Sequence, residues 1–319
     1  ALSNLKFNYM KKNLFLFFVF LSIKTIAQQD AQYTQYMYNM SLINPAYATS
    51  DFNNFNVGLS HRQQWIGMEG APQTTSFFTH YAINDFNEIG VSFFNDNIGD
   101  GVLKENKISV DYAYILNLND YNKLSFGIKA GFNMLNINFD GFELESGNQY
   151  SDDLFAENQS RFYPNIGTGV FYYTKDSYLG FSIPNLLKSS YLKKEDNIYS
   201  KSTEEIHYFL TGGHVFEFYR DDIKVKPSFL AKSSNHGKVS LDVALNTLFN
   251  EKYEIGLSYR LNSSVNFLTN IAINDNLRIG YSYDYSLSNL SDFNSGSHEL
   301  ILLYDFNLYG TNSKSPRFF

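Results

Sequence analysis

The sequence predicts an all-β protein: a transmembrane, antiparallel, up-and-down β-barrel of about fourteen strands, of the bacterial outer-membrane type. Three observations predict it. Apolar and polar residues alternate with period two in run after run, as half-buried strands require. Tight turns and longer connections take turns between those runs. The N-terminus has the layout of a secretory signal.

That signal comes first along the chain. Met10-Lys11-Lys12 is a basic start, Leu14 to Leu21 is unbroken apolar sequence, and Thr25-Ile26-Ala27 ends on the small residue a signal peptidase reads. The apolar run is shorter than the ~20 residues a spanning helix needs. Residues 1–27 therefore read as an upstream extension (Ala1–Tyr9) plus a secretory signal, with Gln28 as the mature N-terminus; a retained membrane anchor is the alternative. No later segment can span as a helix, so a membrane location requires a barrel.

Composition agrees. There are 30 Phe and 25 Tyr against one Trp and no Cys, and aromatic rings suit pleated surfaces and membrane–water interfaces. A mean hydropathy of −0.29 is too polar for a helical bundle but suits strands in which every second residue is apolar. Net charge is −7, and Lys and Arg are scattered. A nucleic-acid partner would need a basic stripe, and none is present.

The strands are expected near 52–61, 72–83, 87–95, 104–118, 121–136, 162–174, 177–183, 205–218, 222–232, 237–248, 252–260, 263–273, 276–285 and 297–308. In the last, Leu300, Leu302, Tyr304, Phe306 and Leu308 share a face opposite Glu299, Asp305 and Asn307. Ile279, Tyr281, Tyr283 and Tyr285 likewise oppose Arg278, Gly280, Ser282 and Asp284. The second face is charged and glycine-rich, which fits a water-filled or charge-paired lumen. Asp111, Asp242, Glu254, Asp284 and Asp305 would be balanced there by Lys129, Arg260 and Arg278, because buried charges need partners.

Every second connection is tight: Asn84–Asn87, Asn119–Asn122, Thr174–Ser177, Tyr219–Asp222, Asn250–Lys252 and Asn274–Asn276. Those between are mostly longer: Arg62–Ala71, Asp96–Leu103, Ile137–Arg161, Pro184–Glu204 and Leu287–Ser297, with two short exceptions near Ser233–Asn235 and Asn262–Ser263. Short turns belong in the periplasm, so both termini are expected there. The domains are then a periplasmic N-terminal strap (28–50), the barrel (51–309) and a periplasmic tail (310–319). A soluble β-sandwich with repeated hairpins is the competing fold, but it needs neither this many alternating strands nor a signal.

Catalytic and cofactor signatures are missing from the sequence. Six histidines lack metal-ligand spacing, and His298-Glu299 on one strand point to opposite faces. Gly180-Phe181-Ser182-Ile183-Pro184 has Pro where a nucleophile elbow needs Gly. Asn95 to Gly101 lacks the oxygen spacing of a calcium loop and reads as a hairpin loop tolerant of left-handed backbone. The acidic stretch Glu143–Glu157 reads as solvated surface rather than a cation site. No enzyme activity, cofactor or metal is expected.

Two segments depart from the strand pattern. Gln32–Ala48, dense in Tyr and Met with Pro45 at its middle, could be a plug, a strap beside the barrel or a partner surface. Arg62-Gln63-Gln64-Trp65 with Gly70-Ala71-Pro72-Gln73-Thr74 lies in the first long loop, where a Trp beside an Arg suits an interaction anchor; an interfacial girdle residue is the plainer alternative.

With Gln35-Tyr36-Met37, Asn44-Pro45-Ala46-Tyr47, Arg62-x-x-Trp65 and Ala71-Pro72-x-Thr74 in that order, the chain resembles the PorP/SprF family of the type IX secretion system. Pro227-Ser228, Gly256-x-x-Tyr259-Arg260, Gly280-Tyr281-Ser282-Tyr283-Asp284, Ser297-His298-Glu299 and the tail Ser315-Pro316-Arg317-Phe318-Phe319 continue the likeness. Many members carry Cys where Ser315 stands. The resemblance implies an outer-membrane barrel that belongs to the secretion and gliding machinery, or exports or holds one large surface adhesin by its C-terminal domain. Partners expected on that basis are the adhesin, periplasmic and outer-membrane secretion components, and outer-membrane lipid. Candidate partner-binding residues are Tyr36, Asn44, Pro45, Tyr47, Arg62, Trp65, Pro72, His298, Pro316, Arg317 and Phe318. A diffusion or uptake channel for small solutes is the rival function.

Overall fold

The computed structural model describes residues 32–47, 54–140, 143–144, 147–148, 158–187, 206–218, 222–234 and 239–307. Among them, 14 antiparallel strands close into one barrel. They are β1 (Asn54–Gln63), β2 (Gln73–Asn84), β3 (Asn87–Ile98), β4 (Leu103–Asn117), β5 (Lys123–Ile137), β6 (Gln159–Tyr173) and β7 (Ser177–Ile183). Then come β8 (His207–His214 and Phe216–Phe218), β9 (Ile223–Ser234), β10 (Ser240–Phe249), β11 (Tyr253–Arg260), β12 (Ser264–Ala272), β13 (Leu277–Ser286) and β14 (Ser297–Asn307). Each pairs with its sequence neighbour, and β14 pairs with β1 from Asn54↔Asn307 to Gln63↔His298. Closure leaves no exposed strand edge, which a sheet in lipid cannot tolerate.

The expected strands sit where the alternation places them, with local differences. The eighth breaks at Val215, whose N–H donates to the Asp176 carbonyl at 2.7 Å, and both of its pieces pair with β9. β1 runs on to Gln63, so Arg62 is a strand residue and not a loop residue as expected. β3 runs on to Ile98, which reduces the Asp96–Leu103 loop to residues 99–102. There Gly99, Asp100 and Gly101 take positive φ, as expected of a loop tolerant of left-handed backbone. Much of the two longest connections, the acidic 143–157 stretch included, lies outside the described residues.

The tight turns share a local chemistry. The Asn84 side-chain oxygen accepts from the N–H groups of Phe86 (2.9 Å) and Asn87 (3.0 Å). Asn119 does the same for Tyr121 and Asn122, and Asn274 for Asn276 and Leu277. Thr174 uses its hydroxyl on Asp176 and Ser177. Such side chains satisfy turn N–H groups that the ladder cannot reach. Between β10 and β11, Asn250 (φ 49°) and Glu251 (φ 55°) instead supply the paired left-handed residues of a type I′ hairpin.

Alternation sorts each strand between lipid and lumen. On β4, Ile108, Val110, Tyr112, Tyr114 and Leu116 are exposed, while Ser109, Asp111, Ala113 and Ile115 between them are buried. The exposed set is the apolar outer face that a bilayer covers. At the short-turn rim, the hydroxyls of Tyr112 and Tyr172 donate to Asn87 (2.5 Å) and Asn122 (3.1 Å), with rings against the apolar band and polar ends toward water.

Candidate functional site: a plugged lumen

Lumen-facing side chains that would line a water-filled pore are instead sealed from solvent: Asn246, Glu254, Asn266, Leu268 and Asn270 are all 0% exposed. Residues 32–47 fill the space. They form a chain of turns with one helical turn, α1 (Met40–Ile43), held by local bonds such as Tyr38 N–H to Gln35 O (3.0 Å) and Asn44 N–H to Met40 O (2.8 Å). Pro45 cannot donate, and the Asn44 side chain closes the following turn by accepting from the Ala46 N–H at 2.9 Å. Of the roles open to this segment, the structure selects the plug. The expected strap beside the barrel is thus corrected, because Tyr- and Met-rich sequence finds its apolar surroundings inside.

The plug carries its own hydrophobic core into the barrel. Tyr36, Met37, Tyr38, Met40, Ile43, Ala46 and Tyr47 pack with inward residues of the wall, among them Phe78, Ile115, Phe171, Leu268 and Ile301. Tyr47 meets Phe171 edge-on at 5.5 Å and the His80 ring at 5.9 Å between centroids, a favoured aromatic geometry. Glycines on the wall admit the backbone. A Cβ built at Gly127 would overlap the Pro45–Ala46 peptide, and one at Gly169 would overlap the Asn44 side chain.

Polar contacts fix the plug at successive heights. Near the long-loop mouth, Glu299 accepts from the backbone N–H groups of Thr34 (2.9 Å) and Gln35 (3.4 Å). The Thr34 hydroxyl donates to Asp284 at 2.6 Å. Arg62 bridges the cluster, reaching Asp284 at 2.6 Å and both Glu299 and Thr34 at 3.1 Å. Arg260 pairs with Asp242 at 2.8 Å and donates to Gln32 (2.7 Å) and the Tyr33 carbonyl (3.3 Å). Deeper in, the Tyr36 hydroxyl meets Ser228 at 3.1 Å. Tyr38 donates to Glu254, which also accepts from Asn246 (2.5 Å) and Asn270 (2.8 Å) and lies 3.6 Å from Arg278. On the opposite wall, Lys129 donates to the Ser41 and Leu42 carbonyls (3.3 and 3.4 Å), Ser182 to the Ile43 carbonyl (2.8 Å), and Asn44 to the Val170 carbonyl (3.2 Å). The buried charges named here each have a counter-charge within 4.0 Å, which offsets part of the cost of taking them out of water.

The expected lumen network is therefore assembled, with a purpose alternation could not show. Asp111 lies 3.6 Å from Lys129, and Arg260 is 3.9 Å from Asp284. Asp305 stands apart near the short-turn rim, where Asn56 donates to it. Arg62 and Glu299 join the network and were missed as members of it. Carrying the β1 alternation two residues further, from Gly58 through Ser60, would have turned Arg62 inward.

The candidate partner-binding residues divide. Tyr36, Asn44 and Tyr47 are buried in the lumen, Pro45 lies against Gly127 and Gly169, and Arg62 is 3% exposed; these serve the plug. Trp65, half-buried at φ 46°, follows β1, and its N–H donates to the Ser297 hydroxyl at 3.1 Å. Backbone bonds of Ile66 with Gly296 and Ser295 tie that loop to the β13–β14 loop. The Pro72 carbonyl accepts from the Gln64 N–H at 3.0 Å. His298 faces outward and meets the Tyr281 hydroxyl at 2.6 Å. Pro316, Arg317 and Phe318 lie outside the described residues.

A family model described as type IX secretion system membrane protein PorP/SprF matches residues 25–304. A comparison with curated proteins returns no match. Among solved structures, the chain is similar to the Acinetobacter baumannii outer membrane protein Omp33 at 8% identity, covering 81% of this chain and 100% of that one, with TM-score 0.46. It is also similar to the Pseudomonas putida toluene transporter TodX (12% identity, 85% and 94% covered, TM-score 0.49) and to a Pseudomonas aeruginosa FadL homologue (10% identity, 84% and 94% covered, TM-score 0.48).

Proposed function

The chain belongs to the PorP/SprF family of type IX secretion system membrane proteins, and from that membership we propose a non-enzymatic role in exporting or anchoring a large surface adhesin. It is an outer-membrane barrel of that system, and membership implies interaction with other type IX components. In the proposed role, the long loops and the mouth they surround hold the adhesin's C-terminal domain. Outer-membrane lipid covers the apolar wall, and the C-terminal tail meets machinery on the periplasmic side.

The observation that supports this reading most is the filled lumen. A barrel whose interior is bonded to its own residues 32–47 has its loops and rims left as working surfaces. Trp65 and the loop ties around it offer a braced surface at that end. The rival, a channel for small solutes, requires the plug to leave. Deleting the protein and measuring surface display of co-encoded adhesins tests the proposal: lost display, restored by the intact gene, is expected. Unchanged display would remove it. Planar-bilayer recordings address the rival, since a steady large conductance from the intact protein would favour the channel.

A further inference from the structure

We infer that the chain threads the barrel from end to end, entering the lumen at Gln32 through the long-loop mouth and leaving it at the short-turn end into β1. Gln32, the first described residue, and Asn307 at the end of β14 then lie at opposite mouths of the barrel. This differs from the expectation that both termini share the periplasmic side, and it holds whatever partner the loops bind.

The height of each plug contact carries the inference. Gln32 and Tyr33 bond to Arg260, the last residue of β11 before the 261–263 connection on the long-loop side. Thr34 bonds to Asp284, Glu299 and Arg62, each within three residues of the long-loop end of its strand. At the other end of the segment, Tyr47 packs on Phe171, two residues before β6 enters its tight turn. Pro45 and Ala46 lie over Gly127, near the short-turn start of β5. β1 then begins at Asn54, also at the short-turn end. Four strands at one mouth hold the first described residues, and two at the other hold the last. The direction of travel through the lumen is thus set by the wall itself.

Threading changes what the plug can do. A plug with both ends on one side can swing out on a hinge. A threaded segment can only be drawn lengthwise toward β1, breaking its contacts at every height. It also puts the point of entry among the long loops, so a partner docked on those loops meets the chain where it goes in.

The protein contains no cysteine, so single thiols report sidedness directly. Ala31→Cys, Glu69→Cys in the β1–β2 loop and Asp275→Cys in the β12–β13 turn would each be exposed to a membrane-impermeant maleimide on intact cells and again after permeabilisation. Each variant is first checked for the heat-dependent gel mobility of a folded barrel. Ala31→Cys is expected to label on intact cells together with Glu69→Cys, while Asp275→Cys labels only after permeabilisation. Labelling of Ala31→Cys that follows Asp275→Cys overturns threading. Should the Ala31→Cys thiol react in neither state, an epitope inserted between Ala31 and Gln32 gives the same reading: antibody staining of intact cells supports threading, and staining confined to permeabilised cells overturns it. Adhesin display is a separate measurement, so failure of the proposed function and failure of threading are distinguishable.

Discussion

Glu299→Ala isolates the upper fastening of the plug from the stability of the barrel. The Glu299 side chain accepts two plug N–H groups, from Thr34 at 2.9 Å and Gln35 at 3.4 Å. Removing it leaves Arg62 with Asp284 at 2.6 Å, so no buried cation is orphaned. What is lost is the anchoring of two buried backbone donors. Hydrogen bonds to a charged acceptor contribute about 1.5–3 kcal/mol each. The Gln35 contact is long, and water admitted by the smaller side chain recovers part of the loss, so about 3 kcal/mol is the expected local destabilisation. At 1.4 kcal/mol per tenfold, opening of the plug's first residues becomes on the order of a hundredfold more frequent. Hydrogen–deuterium exchange of peptides covering residues 32–38 reads this directly, with β4–β5 peptides as the internal reference. Glu299→Gln, which keeps one acceptor oxygen, is expected to fall between. Unchanged exchange at Thr34 and Gln35 in Glu299→Ala, or equal loss of protection throughout the barrel, would refute the picture of a separately fastened plug.

Three further outcomes are expected. Removing residues 32–47 converts a closed barrel into one that conducts in planar bilayers; silence from a correctly folded deletion variant would show that other residues close the lumen. Lys129→Ala leaves Asp111 without its 3.6 Å counter-charge and is expected to destabilise the barrel by about 3–5 kcal/mol, with Asp111→Ala in the same chain recovering part of it. Heat-dependent gel mobility checks this, and no recovery would mean that the two side chains are not energetically coupled. Trp65→Gly accepts the positive φ at that position, so stability should hold while adhesin display falls; intact display would remove Trp65 from the docking surface.

How much was legible follows from the range over which each feature is determined. Period-two alternation is local, so strands such as β4 and β14 and their lipid-facing sides could be read directly. The tight turns were legible for the same reason, since Asn84, Asn119 and Asn274 act on N–H groups two and three residues away. The inward charges were legible as a set, because a residue's parity on its strand decides its face. Arg62 escaped because β1, expected to end at 61, runs on two residues to Gln63.

The identity of what those charges hold was beyond local pattern. Thr34 and Glu299 are 265 positions apart and Tyr38 and Glu254 are 216 apart, so their contact exists only once β14 has closed on β1. Sequence by itself determined a closed wall with a polar, glycine-rich inside. Tertiary structure alone decided that this inside is filled, by which segment, and in which direction that segment runs. The physical reason is that alternation records which side of a strand is apolar, while the occupant of an enclosed space depends on the shape left when the whole sheet curls shut.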